Sequence, residues 1–143
     1  MNNPLIVELL YHSKDHSMAA DFKTHTSVLR RSGQIVITEN TDITKDTVLP
    51  DIVIVFMSAA LLADDLINDK ILFYKHNNSK VHVIGLRVSA MNLIDHPLSR
   101  IQLLPRNSRQ TLSNGKIDDR MADVVGEVLT IIKDIQNKPI INQ

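Results

Sequence analysis

Three short runs of aliphatic, largely β-branched residues constrain this chain more than any other feature: Leu5 to Leu10, with Glu8 inside it, Ile52 to Met57, and Val81 to Leu86. None shows sustained alternation of apolar and polar residues, so each reads as a strand covered on both faces, the situation of parallel strands in an α/β sheet. A weaker run, Gln34 to Thr38, reads as a fourth strand. Between the runs the apolar period becomes helical. Met18, Ala19, Phe22 and Leu29 keep one face of a helix of about four turns, which Arg30, Arg31 and Gly33 then stop. Ser58 follows the Ile52 run as a predicted N-cap, and Leu62, Leu66 and Phe73 with Ile67, Ile71 and Tyr74 make a wide apolar stripe behind it. The clearest helical pattern is Asp118 to Ile135, with Met121, Val124, Val125, Val128, Ile131, Ile132 and Ile135 on one side and two aspartates at its start.

Strands alternating with helices imply right-handed βαβ units. The expected fold class is α/β: a single flavodoxin-like, three-layer domain with a mostly parallel sheet of four to five strands. It spans residues 1–137, with a C-terminal tail at 138–143, because 143 residues leave no room for a second core. Ligands of such sheets bind outside the carboxyl ends of the strands. The segments that matter for function are therefore Tyr11 to His16, Glu39 to Pro50, Met57 to Asp65 and Arg87 to Asp95.

Composition narrows the chemistry. Sixteen Lys+Arg balance sixteen Asp+Glu, so the basic footprint of a nucleic-acid binder or an electrostatic membrane anchor is lacking. With no cysteine, disulfides, thiolate metal sites and cysteine nucleophiles are excluded. The apolar runs of about six residues fall far short of the ~18 to 20 that span a bilayer, and the start MNNPLIVELL lacks a basic n-region, so a cytoplasmic protein is expected. Only four glycines occur and none follows the first strand, which removes the phosphate-cradling fingerprints. A phospho-acceptor receiver would need acids where this chain reads YHS and MSA, and a flavin site would want more than five aromatic residues.

Each remaining cluster has a functional and a plain reading. His12 and His16, four apart, suit a metal only if a third ligand exists, and none is recognisable, so no metal site is expected. Arg87, Arg100, Arg106 and Arg109 hold a phosphate or form a solvated basic loop. Asp64, Asp65 and Asp69 are catalytic carboxylates or charges that favour a helix start.

Several loops taken in order resemble a bacterial-type Toll/interleukin receptor (TIR) domain. LLYHSKD at Leu9 to Asp15 is similar to that family's first strand and loop. HTSVLRRSGQIVITENTDI at His25 to Ile43 matches in its Leu29-Arg30-Arg31, Gly33 and Asp42-Ile43 spacing, and DIVIVFMSAALLADD at Asp51 to Asp65 resembles the third strand, its serine and the helix behind it. Val83 through Arg87 to IQLLP at Ile101 to Pro105, and DDRMADVVGEVLTII at Asp118 to Ile132, complete a set covering residues 5 to 135. Many members of that family cleave NAD with a glutamate on the helix after the third strand, and others only assemble with partner TIR domains.

The resemblance places Lys70 where that glutamate would fall, and the only glutamates of this chain are Glu8, Glu39 and Glu127. Just seven residues separate Ile43 from Asp51, too few for the family's long loop plus a full second helix, and Met91 stands where an aromatic is usual. The resemblance thus implies a non-catalytic signalling or assembly module of a prokaryotic defence or signalling system. Its partners would be other TIR-type domains or a second copy of itself, with no required cofactor. The alternatives are an NAD-cleaving hydrolase with a relocated carboxylate, Asp69 or Asp65, with Glu39 a further candidate, and a nucleotide sensor without chemistry. In both, Tyr11, His12, Ser13, Lys14, Ser58 and Arg87 are the expected contacts to NAD or a related nucleotide.

Overall fold

The structure, a computed structural model, describes residues 4–44, 46–76, 80–89, 101–105, 111–113 and 116–137. Met91, Arg100, Arg106, Arg109 and the tail at 138–143 lie outside the described residues. Five parallel strands form one sheet: β1 (Leu5–Leu10), β2 (Ile35–Glu39), β3 (Ile52–Met57), β4 (His82–Arg87) and β5 (Gln102–Leu104), in the spatial order β2-β1-β3-β4-β5. The helices are α1 (His16–His25), entered through a 3₁₀ turn at Ser13–Asp15, α2 (Ser27–Arg31), α3 (Ala59–Leu62), α4 (Asp65–His76) and α5 (Ile117–Asn137). The architecture is the expected three-layer, flavodoxin-like α/β fold. Among the described residues no helix is long and apolar enough to cross a membrane.

Strand pleating sorts the side chains into two cores. Val7 and Leu9 of β1, Tyr11 just after it, Ile52, Ile54 and Phe56 of β3, and Ile84 and Leu86 of β4 pack with Phe22 of α1 and with Met121, Val124, Val125 and Val128 of α5. On the other face, Leu10, Val53, Val55 and Met57 pack with Leu61 of α3 and with Ile71 and Tyr74 of α4. Every residue of β3 is buried, which is why its run has no polar member. The pattern read for Asp118 to Ile135 is realised in α5, with Ile131 and Ile135 packed at the core's margin.

Two helical expectations need correction. The helix over Met18 to Leu29 is divided at Thr26, whose buried hydroxyl donates to the Phe22 carbonyl at 2.9 Å. Thr26 has left the helical region, with ψ at 9°, and the chain restarts as α2. The stripe behind Ser58 is likewise two helices. Asp64 accepts from the Ile67 amide at 3.1 Å and caps α4, while the Asn68 amide donates to the carbonyls of Leu61, Leu62 and Asp64 at 3.1, 3.1 and 2.8 Å. These bonds close α3 after one turn and rotate α4, so Leu66 ends 75% exposed and Phe73 39% exposed while Ile71 and Tyr74 are buried.

The β2–β3 connection contains no helix among its described residues. The face of β2 on the α4 side therefore has only this connection over it, and Val36 is exposed there.

Candidate functional site

In this strand order β2 and β3 lie on opposite sides of β1, so the topological switch point falls between β1 and β3, and the crevice of such sheets lies outside the carboxyl ends of those two strands. The residues at that crevice are those that end the strands. Ser58, the first residue after β3, has a hydroxyl that donates to Asp15 Oδ2 at 2.6 Å and accepts from the Leu61 amide at 3.2 Å. One oxygen thus caps α3 and ties the β3 exit to the β1 exit. His12 Nδ1 accepts from the Lys14 amide at 3.1 Å and caps the 3₁₀ turn, leaving Ser13 and Lys14 exposed on it. His12 is thus a capping histidine here. Among the described residues no three His, Asp or Glu side chains form a group that could hold a metal ion.

Tyr11 and Glu39 meet on the β2 side. The Tyr11 hydroxyl donates to Glu39 Oε1 at 2.7 Å and Lys23 Nζ donates to Oε2 at 2.9 Å, so both carboxylate oxygens are engaged. The hydrogen bonds from Tyr11 and Lys23 hold the Glu39 carboxyl below its ordinary range, against partial burial. Burial, joined by the hydrogen bond to Glu39 and its charge, pushes the Tyr11 phenol up to about 12. At neutral pH this is an anionic carboxylate gripped by a phenol and an ammonium. Asn40 follows in the left-handed region at φ 45°, where its Oδ1 accepts from the Tyr11 amide at 3.1 Å and its own amide donates to Leu9 at 2.9 Å.

Lys70 reaches back from α4 to this edge. Its Nζ donates to the Asn40 carbonyl at 3.3 Å and lies 3.6 Å from Asp42 Oδ1. Beside the pair is an open depression of about 430 Å³ lined by Asp42, Ile43, Leu66, Asp69, Lys70 and Phe73. Asp69 therefore shares a surface with Lys70. Asp65 sits on the first turn of α4, exposed, and is not part of that lining. Arg87 is one strand further along, paired in register with Met57, and its Nε donates to the Pro105 carbonyl at 3.1 Å. It braces the segment after β5.

The predicted site residues thus separate: Tyr11 to Lys14, Ser58 and Glu39 around the crevice, Asp69 in the depression, Asp65 apart on the first turn of α4, and Arg87 at the β4 exit. Sequence reasoning passed over Lys23 and singled out neither Asp15 nor Asn40 within the loops it named; all three become partners only through the fold. It also passed over Glu8, although a carboxylate inside an otherwise apolar strand was a visible signal. Glu8 is 2% exposed and accepts from the Thr38 hydroxyl, the Thr41 amide at 2.7 Å and the Thr41 hydroxyl at 2.8 Å. Compared with known proteins, the chain matches no family model, no curated protein and no solved structure.

Proposed function

We propose that this chain is a cytoplasmic, TIR-like assembly module that acts by protein–protein association in a prokaryotic defence or signalling system and does not turn over NAD. The observation that carries this reading is the depression beside Lys70, where apolar Ile43, Leu66 and Phe73 stand among Asp42, Asp69 and Lys70. A mixed surface of this kind suits a partner that buries the carbon and pairs the charges. Covering a side chain as exposed as Leu66 contributes about 1.5–3 kcal/mol to association. Lys70 supports the non-catalytic half. Cleavage of a nicotinamide ribosyl bond develops positive charge on the sugar, which a carboxylate stabilises and an ammonium opposes.

The test is light scattering and sedimentation of the wild type and of Leu66→Glu across a wide concentration range, with and without a candidate partner TIR domain. Association that rises with concentration and weakens at least ~10-fold in Leu66→Glu is expected, since ~1.4 kcal/mol is tenfold. A strictly monomeric wild type that binds no partner domain overturns the reading.

Because Asp69 lines the same depression, the second reading is an NAD-cleaving hydrolase with Asp69 as its carboxylate. Nicotinamide release by the wild type that disappears in Asp69→Asn decides for it, and silence of the wild type at high protein concentration decides against it. Activity gained by Lys70→Glu would show a competent pocket that lacks its carboxylate.

A further inference from the structure

A second cavity, of about 240 Å³, lies beneath the β2–β3 connection and shares no lining residue with the depression beside Lys70. Glu8 and Thr38 of the sheet, Tyr74 of α4, and Val48 and Pro50 of the connection all border it. Since a ~150 Å³ apolar cavity already admits benzene, this one has space for a ligand of several heavy atoms.

Its charge is what makes it specific. All three hydrogen bonds that Glu8 accepts come from neutral donors. Among the described residues Glu8 forms no ion pair, unlike Glu39 with Lys23 or Asp42 with Lys70. A carboxylate offers about four acceptor positions, so Oε2, which receives only the Thr41 amide, retains capacity. A buried carboxylate ordinarily has a cationic partner. Burial and the Glu8 charge push the Tyr74 phenol up to about 12, so the tyrosine that borders the same space is neutral.

We propose that this cavity binds a small aliphatic monoamine in its ammonium form, with the head against Glu8 and Tyr74 and the tail among Ile6, Val48 and Pro50. An anion is repelled by Glu8. A bare divalent ion, which takes ~6–8 oxygen ligands, does not suit walls that are mostly carbon. An ammonium supplies a positive charge and a donor to Glu8, and its short tail matches the apolar lining. The proposal stands independently of the association reading.

The experiment uses the full chain at neutral pH with n-butylammonium chloride, 1-butanol and potassium chloride, read by thermal shift and by amide chemical shifts. A saturable response to n-butylammonium, at least ~10-fold tighter than to 1-butanol as expected for a charge-assisted bond, and no response to potassium chloride, supports the proposal. Equal responses to amine and alcohol, a potassium response that reproduces the amine's, or no saturable response overturns it. Glu8→Gln is expected to abolish amine binding. Should that variant not fold, Val48→Trp decides: Val48 is exposed at the cavity's rim, so the bulkier side chain is expected to block the amine while keeping the fold. Amine binding retained by Val48→Trp also overturns the proposal.

Discussion

Replacing Thr41 with valine removes one hydroxyl at nearly constant shape and isolates how far the Glu8 carboxylate holds down the β2–β3 connection. That hydroxyl donates to Glu8 Oε1 at 2.8 Å, and the carboxylate is buried. A hydrogen bond to a charged group contributes about 1.5–3 kcal/mol. Thr41 is only half-buried and water can replace part of the bond, so the expected loss is about 1–2 kcal/mol. Against a total of about 5–15 kcal/mol this is substantial. With a urea slope of ~2 kcal/mol/M, the unfolding midpoint should fall by roughly 0.5–1 M at unchanged slope. Thr38 donates to the same Oε1, so Thr38→Val and the double variant complete a cycle. The two hydroxyls should couple by about 0.5 kcal/mol or more. A Thr41→Val loss below ~0.5 kcal/mol, or strict additivity with Thr38→Val, would refute the view that the carboxylate anchors this connection.

The remaining predictions concern titration and packing. The chain has two tyrosines, and both phenols are pushed up to about 12, Tyr11 by burial and then Glu39, Tyr74 by burial and then Glu8. Phenolate absorbance of the folded protein should therefore show no step near pH 10. Because the folded values are raised, the stability linked to them is present below about pH 10 and is lost as pH climbs toward 12; a tyrosine step near 10 in folded protein would contradict this. Gly85→Ala would set a Cβ 2.7 Å from Leu103 Cδ2, 2.9 Å from Met57 Cγ and 3.0 Å from Ile101 Cδ1. Overpacking of that kind costs about 1–3 kcal/mol, and calorimetry showing an unchanged Tm would disprove the close approach.

Much of the fold was legible because burial on both faces leaves an unmistakable mark. The all-apolar run of β3 and the one-sided stripe of α5 both predict their elements, and alternation of strand and helix predicts the layers. The helix breaks at Thr26 and Asp64 were not legible, since each depends on where a side-chain hydrogen bond lands once neighbours are in place. Leu66 belongs to an apolar stripe by spacing, yet the restart of the helix at Asp65 turns it outward. The crevice loops were named from topology alone, but the partners within them, Asp15 for Ser58 and Lys23 for Glu39, lie 43 and 16 residues away in sequence.

Residue order by itself determined the alternation of strands and helices, the parallel sheet and the absence of glycine-rich phosphate loops, because hydrophobic period and backbone chemistry are local properties. Tertiary structure alone decided that Lys70 reaches the β2 exit, that Glu39 has both oxygens engaged, and that Glu8 lies buried beside a cavity. Those outcomes depend on which side chains meet across the sheet, and a carboxylate in a strand has its character set by the donors that fold over it.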